Sequence, residues 1–198
     1  MRPLQKQQGF TLIELLAVVM LVGVAAAVVT VSVGTGGRSY ELRNSSRFLF
    51  NGMVAALEEA VITQQQLGLH LDVEQDENGA NIYRYNWLIL DAAAREWKVL
   101  VNEDFSQTTL VEGISIELTV EGDTVVIGAQ SKDSFFTLKQ SSDSTKPALQ
   151  PDIYFLASGE MPEFTITLAD DVVGGGHYII SGNMVGQMSL KEPHEQEE

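Results

Sequence analysis

Residues 9–16 of this chain read Gly-Phe-Thr-Leu-Ile-Glu-Leu-Leu, and they open an apolar run that extends from residue 10 to residue 33. Glu14 is the only ionisable side chain in that run. As a helix with a rise of about 1.5 Å per residue, the run would reach about 36 Å, which is enough to cross a hydrocarbon core of about 30 Å. An acidic side chain costs about 2.5–3.5 kcal/mol at the centre of such a helix and less near its end, so Glu14 is a candidate functional residue.

The residues before the apolar run include Arg2 and Lys6 and no acidic residue. The positive-inside tendency therefore predicts a cytoplasmic amino terminus, with the chain after residue 33 on the other side of the membrane. A cleaved secretory signal is one alternative, because small residues occur at 25–27, but the run is longer than the usual apolar region of about 7–15 residues and contains an acid. A plain single-span anchor is a second alternative, and it leaves Glu14 without a role.

Residues 8–16 resemble the class III signal of type IV pilins and type II secretion pseudopilins. In that family, a prepilin peptidase cuts after the glycine and methylates the new amino-terminal phenylalanine. The resemblance implies cleavage between Gly9 and Phe10, N-methylation of Phe10, and a role for Glu14 in filament assembly. In a packed helical filament, the carboxylate of Glu14 can pair with the amino-terminal cation of a neighbouring subunit, so that each buried charge has a partner of opposite sign. The chain departs from many type IV pilins in having no proline at residues 28–33.

The composition limits the possible partners. The formal net charge is −15, and removal of Arg2 and Lys6 with a leader peptide of residues 1–9 would make it −15 − 2 = −17. Such a chain is not expected to bind nucleic acid, because phosphate neutralisation requires clustered lysines and arginines. The chain contains no cysteine, so we expect no disulfide and no thiolate metal site. About 165 residues follow the apolar run, enough for one globular domain of ordinary size.

An amphipathic helix is predicted over residues 34–68, after the membrane-spanning and assembly helix of residues 10–33. Gly68 is the expected left-handed residue at its end. The apolar side chains recur at spacings of three, four and seven residues, which predicts one face packed on a sheet. These side chains are Leu42, Leu49, Met53, Leu57, Ala60 and Val61.

From residue 69 to residue 190 the apolar period is two, which predicts a β domain, and the resemblance to pseudopilins implies that this domain is periplasmic. Residues 121–123 separate two strands as a hairpin turn would. Residues 139–151 are polar and rich in turn residues, which predicts a long exposed loop, and residues 191–198 form an acidic tail that we expect to be disordered. A long amino-terminal helix packed on antiparallel strands is an α+β fold. The predicted strands are 69–73, 82–87, 97–101, 114–120, 124–127, 152–157, 164–168, 178–181 and 185–190.

The carboxy-terminal half resembles the GspH-type domain, which minor pseudopilin H of type II secretion shares with the FimT/FimU minor pilins. The resemblance rests on Ile-Tyr-Phe at 153–155, Ser-Gly-Glu at 158–160, an alternating strand at 164–168 and Tyr-Ile-Ile-Ser-Gly at 178–182. It departs from the group at Ala157, where members often have a proline. The resemblance implies a helix packed on a two-sheet β sandwich.

No catalytic or cofactor site is expected. His70, His177 and His194 lack the spacing of a metal helix or a recognisable triad. Residues 72–78 begin like a calcium loop but have glutamate where the EF-hand requires glycine, so an acidic solvated turn is favoured over an irregular calcium site. Residues 174–176 are three glycines without the lysine of a phosphate loop, which indicates a turn. The chain is therefore predicted to be no enzyme, with no cofactor, no metal and no small-molecule substrate.

Together the two resemblances imply a minor pseudopilin of a type II secretion system, a structural subunit of the periplasmic pseudopilus that helps drive exoprotein export across the outer membrane. Its expected partners are the other major and minor pseudopilins of the filament, the prepilin peptidase and the inner membrane, which it would cross once. The absence of cysteine supports this reading, since many adhesive pilins close a carboxy-terminal loop with a disulfide. The alternatives are a minor pilin of a type IV pilus and a membrane-anchored periplasmic sensor or enzyme. The β domain alone is expected to be monomeric.

Overall fold

The computed structural model describes residues 12–128, 149–171 and 176–193, with the side chains of residues 24–36 left out. The chain divides into two compact units, Met1–Arg38 and Ser39–Glu198. Helix α1 spans Leu12–Thr63 and contributes to both. Among the described residues, no helix has the length and the apolar character that crossing a membrane requires. The predicted membrane-spanning segment 10–33 lies partly outside the described residues and stays a prediction.

Helix α1 ends earlier than residue 68, where the sequence predicts its end. Its last residue is Thr63, and Gln64 takes the left-handed conformation with a φ of 55°. The prediction that Gly68 is the left-handed residue is therefore wrong. Gly68 lies in strand β1 (Leu67–Gln75), where an added Cβ would be 2.4 Å from the Cβ of Pro151. The glycine is needed there because another segment of the chain occupies the space of a side chain.

Two antiparallel sheets make up the rest of the second unit. The first sheet has the order β3-β2-β1-β7, with β4 also paired to β2, and the second has the order β10-β9-β8-β5-β6. The strands after β1 are β2 (Asn81–Asp91), β3 (Glu96–Val99), β4 (Thr108–Thr109), β5 (Ile114–Val120), β6 (Asp123–Val125), β7 (Ile153–Phe155), β8 (Phe164–Asp170), β9 (His177–Gly182) and β10 (Met188–Lys191). The predicted α+β fold class is confirmed.

The hairpin predicted at residues 121–123 is confirmed. Val120 pairs with Asp123 across a two-residue turn, in which Glu121 and Gly122 have φ values of 53° and 88°. Two successive left-handed residues define the type I′ turn that matches the twist of the two strands. At the other end of the same sheet, the strand predicted over 185–190 begins only at Met188. Residues 183–187 form a turn instead.

The buried face of α1 follows an alternating spacing of four and three residues. The prediction for this face is confirmed at its main apolar positions, but Leu57 is only half-buried and Val61 is exposed, because both lie beside the repeat. Ser46 is the polar member of the face, and its hydroxyl donates to the carbonyl oxygen of Leu42 at 2.8 Å, so its burial leaves no donor unsatisfied. The buried positions are Leu42, Ser46, Leu49, Met53, Ala56 and Ala60.

A single hydrophobic cluster joins this helix face to both sheets. At its centre Trp87 lies against Gly52, where an added Cβ would be only 2.7 Å from Cζ2 of the indole. The indole is held by edge contacts on both sides, with ring centroids 5.9 Å from Tyr85 and 5.4 Å from Phe105. The lack of a side chain at residue 52 therefore allows a large aromatic ring to fill the space between helix and sheet.

Candidate assembly site

Glu14 is the one predicted site residue that the structure places. It lies in the first turn of α1 with its side chain exposed. Gly9 and Phe10, the predicted cleavage and methylation positions, lie outside the described residues.

The helix around Glu14 exposes apolar side chains on every side. The fractional exposure of the large apolar residues between 12 and 22 is between 50% and 82%. Burying one such side chain contributes about 1.5–3 kcal/mol, and contiguous exposed apolar surface of this extent marks a region that binds a membrane or another protein. The exposed residues are Leu12, Ile13, Leu15, Leu16, Val18, Val19, Met20, Leu21 and Val22.

In the second unit, the His70 imidazole is paired with the Asp152 carboxylate. His70 Nδ1 lies 3.0 Å from Asp152 Oδ2, and the same oxygen accepts a hydrogen bond of 2.7 Å from the backbone N–H of Leu71. Burial lowers the pKa of the His70 imidazole, but the hydrogen bond and the negative charge of Asp152 outweigh burial, so its pKa is raised. The pair fastens the segment before β7 to β1, and a structural role is its simplest explanation.

Three acidic side chains of the segment 72–78 have partners within the protein. Arg84 forms ion pairs with Asp72, at 3.3 Å, and with Glu74. Asp76 accepts hydrogen bonds from backbone N–H groups within its own turn, which lower its pKa. Within the described part of the chain, no three histidine or acidic residues are grouped in a way that could hold a metal ion.

The remaining predicted candidates are only partly described. His177 is half-buried at the start of β9. His194 and two of the three glycines at 174–176 lie outside the described residues, as do most of the predicted loop 139–151 and of the tail 191–198. At the start of that tail, Glu192 forms an ion pair with Arg47 at 2.5 Å.

One exposed feature was missed from the sequence. Met184 and Val185 occupy the tip of the β9–β10 turn and are 63% and 73% exposed. The sequence predicts a strand at Val185, because the alternating pattern there continues into β10. The signal that could have identified the turn is Asn183 three residues before Gly186, the first and last positions that a type I turn favours.

Comparison with known proteins gives a match to the amino-terminal motif and matches to relatives over most of the chain. Residues 4–30 match the family described as the prokaryotic N-terminal methylation motif, a stretch that includes the predicted processing positions and Glu14. The chain is 28% identical over 172 residues to the type II secretion system protein H of Vibrio cholerae, covering 81% of each protein. It is 25% identical over 167 residues to protein H of Pseudomonas aeruginosa, covering 84% of this chain and 86% of that protein. The predicted resemblance to the H-type secretion pseudopilins is confirmed.

Solved structures support the fold assignment of this pseudopilin-like chain. The crystal structure of the minor pseudopilin EpsH from the type II secretion system of Vibrio cholerae matches with a TM-score of 0.57 at 21% identity, covering 80% of this chain and 99% of that one. The solution structure of Escherichia coli GspH matches with a TM-score of 0.51 at 14% identity, covering 81% and 94%. The helix and two-sheet architecture is thus the architecture of known H-type domains.

Proposed function

We propose that this chain is a minor pseudopilin of a type II secretion system and acts as a structural subunit of a periplasmic pseudopilus. The observation that carries the proposal is the similarity to protein H over 81% of the chain, together with the methylation motif at residues 4–30. Its work is mechanical and requires no catalytic residue. Addition of subunits extends a filament that helps to drive folded proteins through an outer-membrane channel.

The proposed processing begins in the inner membrane. A prepilin peptidase cuts between Gly9 and Phe10 on the cytoplasmic side and methylates the new amino group of Phe10. The apolar helix of residues 10–33 then crosses the membrane once, and the domain that follows it is periplasmic. The many exposed apolar side chains of residues 12–22 support this proposal, because a helix with such a surface is stabilised by transfer to lipid or to a bundle of similar helices.

The proposed role of Glu14 is to set the register of this subunit in the filament. Once the helix leaves the lipid for the filament, its carboxylate pairs with the amino-terminal cation of a neighbouring pseudopilin. This pairing can fix the register, because any register that leaves a charge unpaired in the apolar bundle is strongly destabilised, by about 3–5 kcal/mol when one partner is removed. The partners are therefore the other major and minor pseudopilins.

A gene-deletion strain tests the function. We expect it to lose secreted hydrolases from the medium while retaining surface pili, and to regain secretion when the chain is supplied in trans. Loss of pili or of twitching with secretion intact would instead establish the alternative, a minor pilin of a type IV pilus. The similarity to proteins named for type II secretion and the absence of cysteine favour the first outcome.

Substitutions test the site residues separately. Glu14→Ala should still insert in the membrane and be processed, but it should enter filaments poorly, since the amino-terminal cation of its neighbour loses its partner. Glu14→Asp is the matched control that retains the charge and should assemble better than the alanine variant. Gly9→Leu should block cleavage, which a shift in electrophoretic mobility would report. Normal filament incorporation of Glu14→Ala would refute the role assigned to Glu14.

A further inference from the structure

The hairpin loop between β1 and β2 places an asparagine directly before a glycine. The N–H of Gly79 donates to the carbonyl oxygen of Asp76 at 3.1 Å, and the N–H of Asp76 donates to the carbonyl oxygen of Ala80 at 2.9 Å. Gly79 itself has a φ of 83°. A β-turn followed by a left-handed residue is a usual form of the three-residue hairpin loop, and the left-handed position strongly favours glycine. The fold therefore fixes glycine as the residue that follows Asn78.

Both residues of this pair are exposed at the tip of the hairpin. An added Cβ at Gly79 would have no heavy atom of the described chain within 4 Å, so no other segment crowds its backbone nitrogen. Nδ2 of Asn78 donates to Oδ2 of Asp76 at 3.3 Å, beyond the usual range of 2.7–3.2 Å for such a hydrogen bond. The Asn78 side chain is therefore held weakly and can change its rotamer.

An exposed asparagine before glycine has a reaction available that needs only water. The backbone nitrogen of Gly79 loses its proton to water and forms a bond to Cγ of Asn78. The bond from Cγ to Nδ2 then breaks, and the amide nitrogen takes up protons and leaves as ammonia, so that a succinimide ring remains. Attack within one chain is strongly favoured over attack by bulk water, and glycine presents no side chain to hinder it.

Water then opens the succinimide ring in one of two ways. Cleavage of the bond between Cγ and the ring nitrogen restores the original main chain with aspartate at residue 78. Cleavage of the bond between the backbone carbonyl carbon and the same nitrogen gives isoaspartate. No atom changes its oxidation state in either step, so the reaction requires no further reactant.

The chain contains a second asparagine that precedes glycine, and its setting is different. Asn51 and Gly52 lie in the interior of α1, and the Asn51 side chain is exposed. The N–H of Gly52 belongs to the helical hydrogen-bond ladder, and this part of the helix packs closely on Trp87. The ring can close at Asn51 only after the packed helix opens, whereas a hairpin tip opens at low cost in free energy.

We propose that Asn78 is a site of spontaneous deamidation, and that its isoaspartate product loosens the end of the β1–β2 hairpin. The reaction needs no partner and no enzyme, so it is independent of the function proposed above. It would convert a neutral residue of the acidic segment 72–78 into a negatively charged one and mark the age of the molecule.

The contacts around Asp76 explain why the product should loosen the hairpin. Oδ1 of Asp76 accepts hydrogen bonds from the N–H groups of Asn78 at 2.8 Å and of Ala80 at 2.7 Å. Isoaspartate adds one carbon atom to the main chain between these two donors, so both hydrogen bonds cannot keep their present lengths. The new carboxylate also replaces the Nδ2 donor beside Asp76 with a like charge, which is repulsive. The adjoining pair of the ladder, Gln75 with Asn81, is then the first to open.

Peptide mapping by mass spectrometry of the full-length chain, aged in detergent micelles at mildly alkaline pH, tests the site. The same chain in denaturant gives the unfolded rates, which should be similar for the two asparagines. In the folded chain, we expect Asn78 to convert within about tenfold of its unfolded rate, and Asn51 to convert at least about a hundredfold more slowly than its own. Asn78→Gln should abolish the product in the hairpin and leave the rate at Asn51 unchanged.

Protection of Asn78 in the folded chain as strong as that of Asn51 would overturn the proposed site. The effect on the hairpin is measured by hydrogen exchange at residues 75–81 of the purified isoaspartyl protein. Asn78→Asp is the matched control, because it carries the new charge on an unaltered main chain. We expect exchange about tenfold faster in the isoaspartyl protein than in this variant, and equal exchange would overturn the proposed loosening.

Discussion

Replacement of Gly52 by alanine should destabilise the second unit, although the same change normally stabilises a helix. In a helix interior, alanine is favoured over glycine by about 1 kcal/mol. Here the new Cβ would lie 2.7 Å from Cζ2 of Trp87 and 3.3 Å from its Cη2. The indole cannot swing away freely, because Tyr85 and Phe105 contact it on its other sides.

Helix propensity raises the free energy of unfolding of the alanine variant, whereas crowding against Trp87 lowers it. We expect the crowding to be the larger effect. Overfilling a well-packed core costs about 1–3 kcal/mol, against which the propensity gain of about 1 kcal/mol must be set. We therefore expect a net loss of about 1 kcal/mol in the free energy of unfolding. In a domain of this size, that loss lowers the melting temperature by about 2–4 °C.

Urea unfolding followed by circular dichroism, on a fragment of residues 39–198, measures the loss. Ala55→Gly is a helix-propensity control at an exposed position of the same helix and should cost about 1 kcal/mol. The decisive comparison repeats Gly52→Ala in a Trp87→Leu background, where the clash is gone and the alanine should stabilise. If Gly52→Ala stabilises the fragment in both backgrounds, the close packing of Gly52 on Trp87 is refuted.

Three further predictions concern charge pairs and a turn. Asp152→Asn should lower the pKa of His70, as an NMR titration of the imidazole would report. Because the pKa of His70 is raised in the fold, the pair stabilises the protein fully below the ordinary histidine pKa of about 6.5. This contribution to stability should be lost as the pH rises through the raised value. Lys98→Ala should raise the pKa of Asp91 from about 2 towards its ordinary value, and a carboxylate titration that stays near 2 would assign the shift to backbone N–H groups instead. Gly186→Ala should cost about 1–3 kcal/mol in urea unfolding, because the residue has a φ of 82° and an added Cβ would lie 2.5 Å from a carbonyl oxygen; unchanged stability would contradict this turn geometry.

Much of the fold was predictable because it is encoded in local periodicity. The spacing of Leu42, Leu49 and Met53 identifies the buried helix face, and the period of two identifies the strands. Glu121 and Gly122 occupy the turn of a hairpin that is evident in the sequence. By contrast, the role of Gly68 depends on Pro151, far away in the chain, and no local pattern reports such a contact.

The candidate functional residues also divide into those that a local sequence pattern identifies and those that only the tertiary structure identifies. The proposed processing motif is a linear signal, so Gly9, Phe10 and Glu14 are predicted from the sequence alone, and their roles stay predictions. The apolar tip of the β9–β10 turn could not be predicted in this way, because the strand-like pattern that includes Val185 continues into β10, and only the folded turn shows that the side chain points to solvent. The pairing of His70 with Asp152 joins residues 82 positions apart, and it likewise requires the tertiary structure.

The hydrogen bond from the N–H of Leu71 to the Asp152 side chain has a consequence for aggregation. β1 pairs with β7 only from Leu67 to Leu69, and beyond that point a carboxylate takes the position of the next backbone carbonyl. An unpaired backbone N–H at a sheet edge is a template for a foreign strand, and an anionic side chain placed there blocks it. Under the proposed function, in which the subunit is held in a membrane before it joins a filament, this carboxylate guards the subunit against irreversible strand exchange.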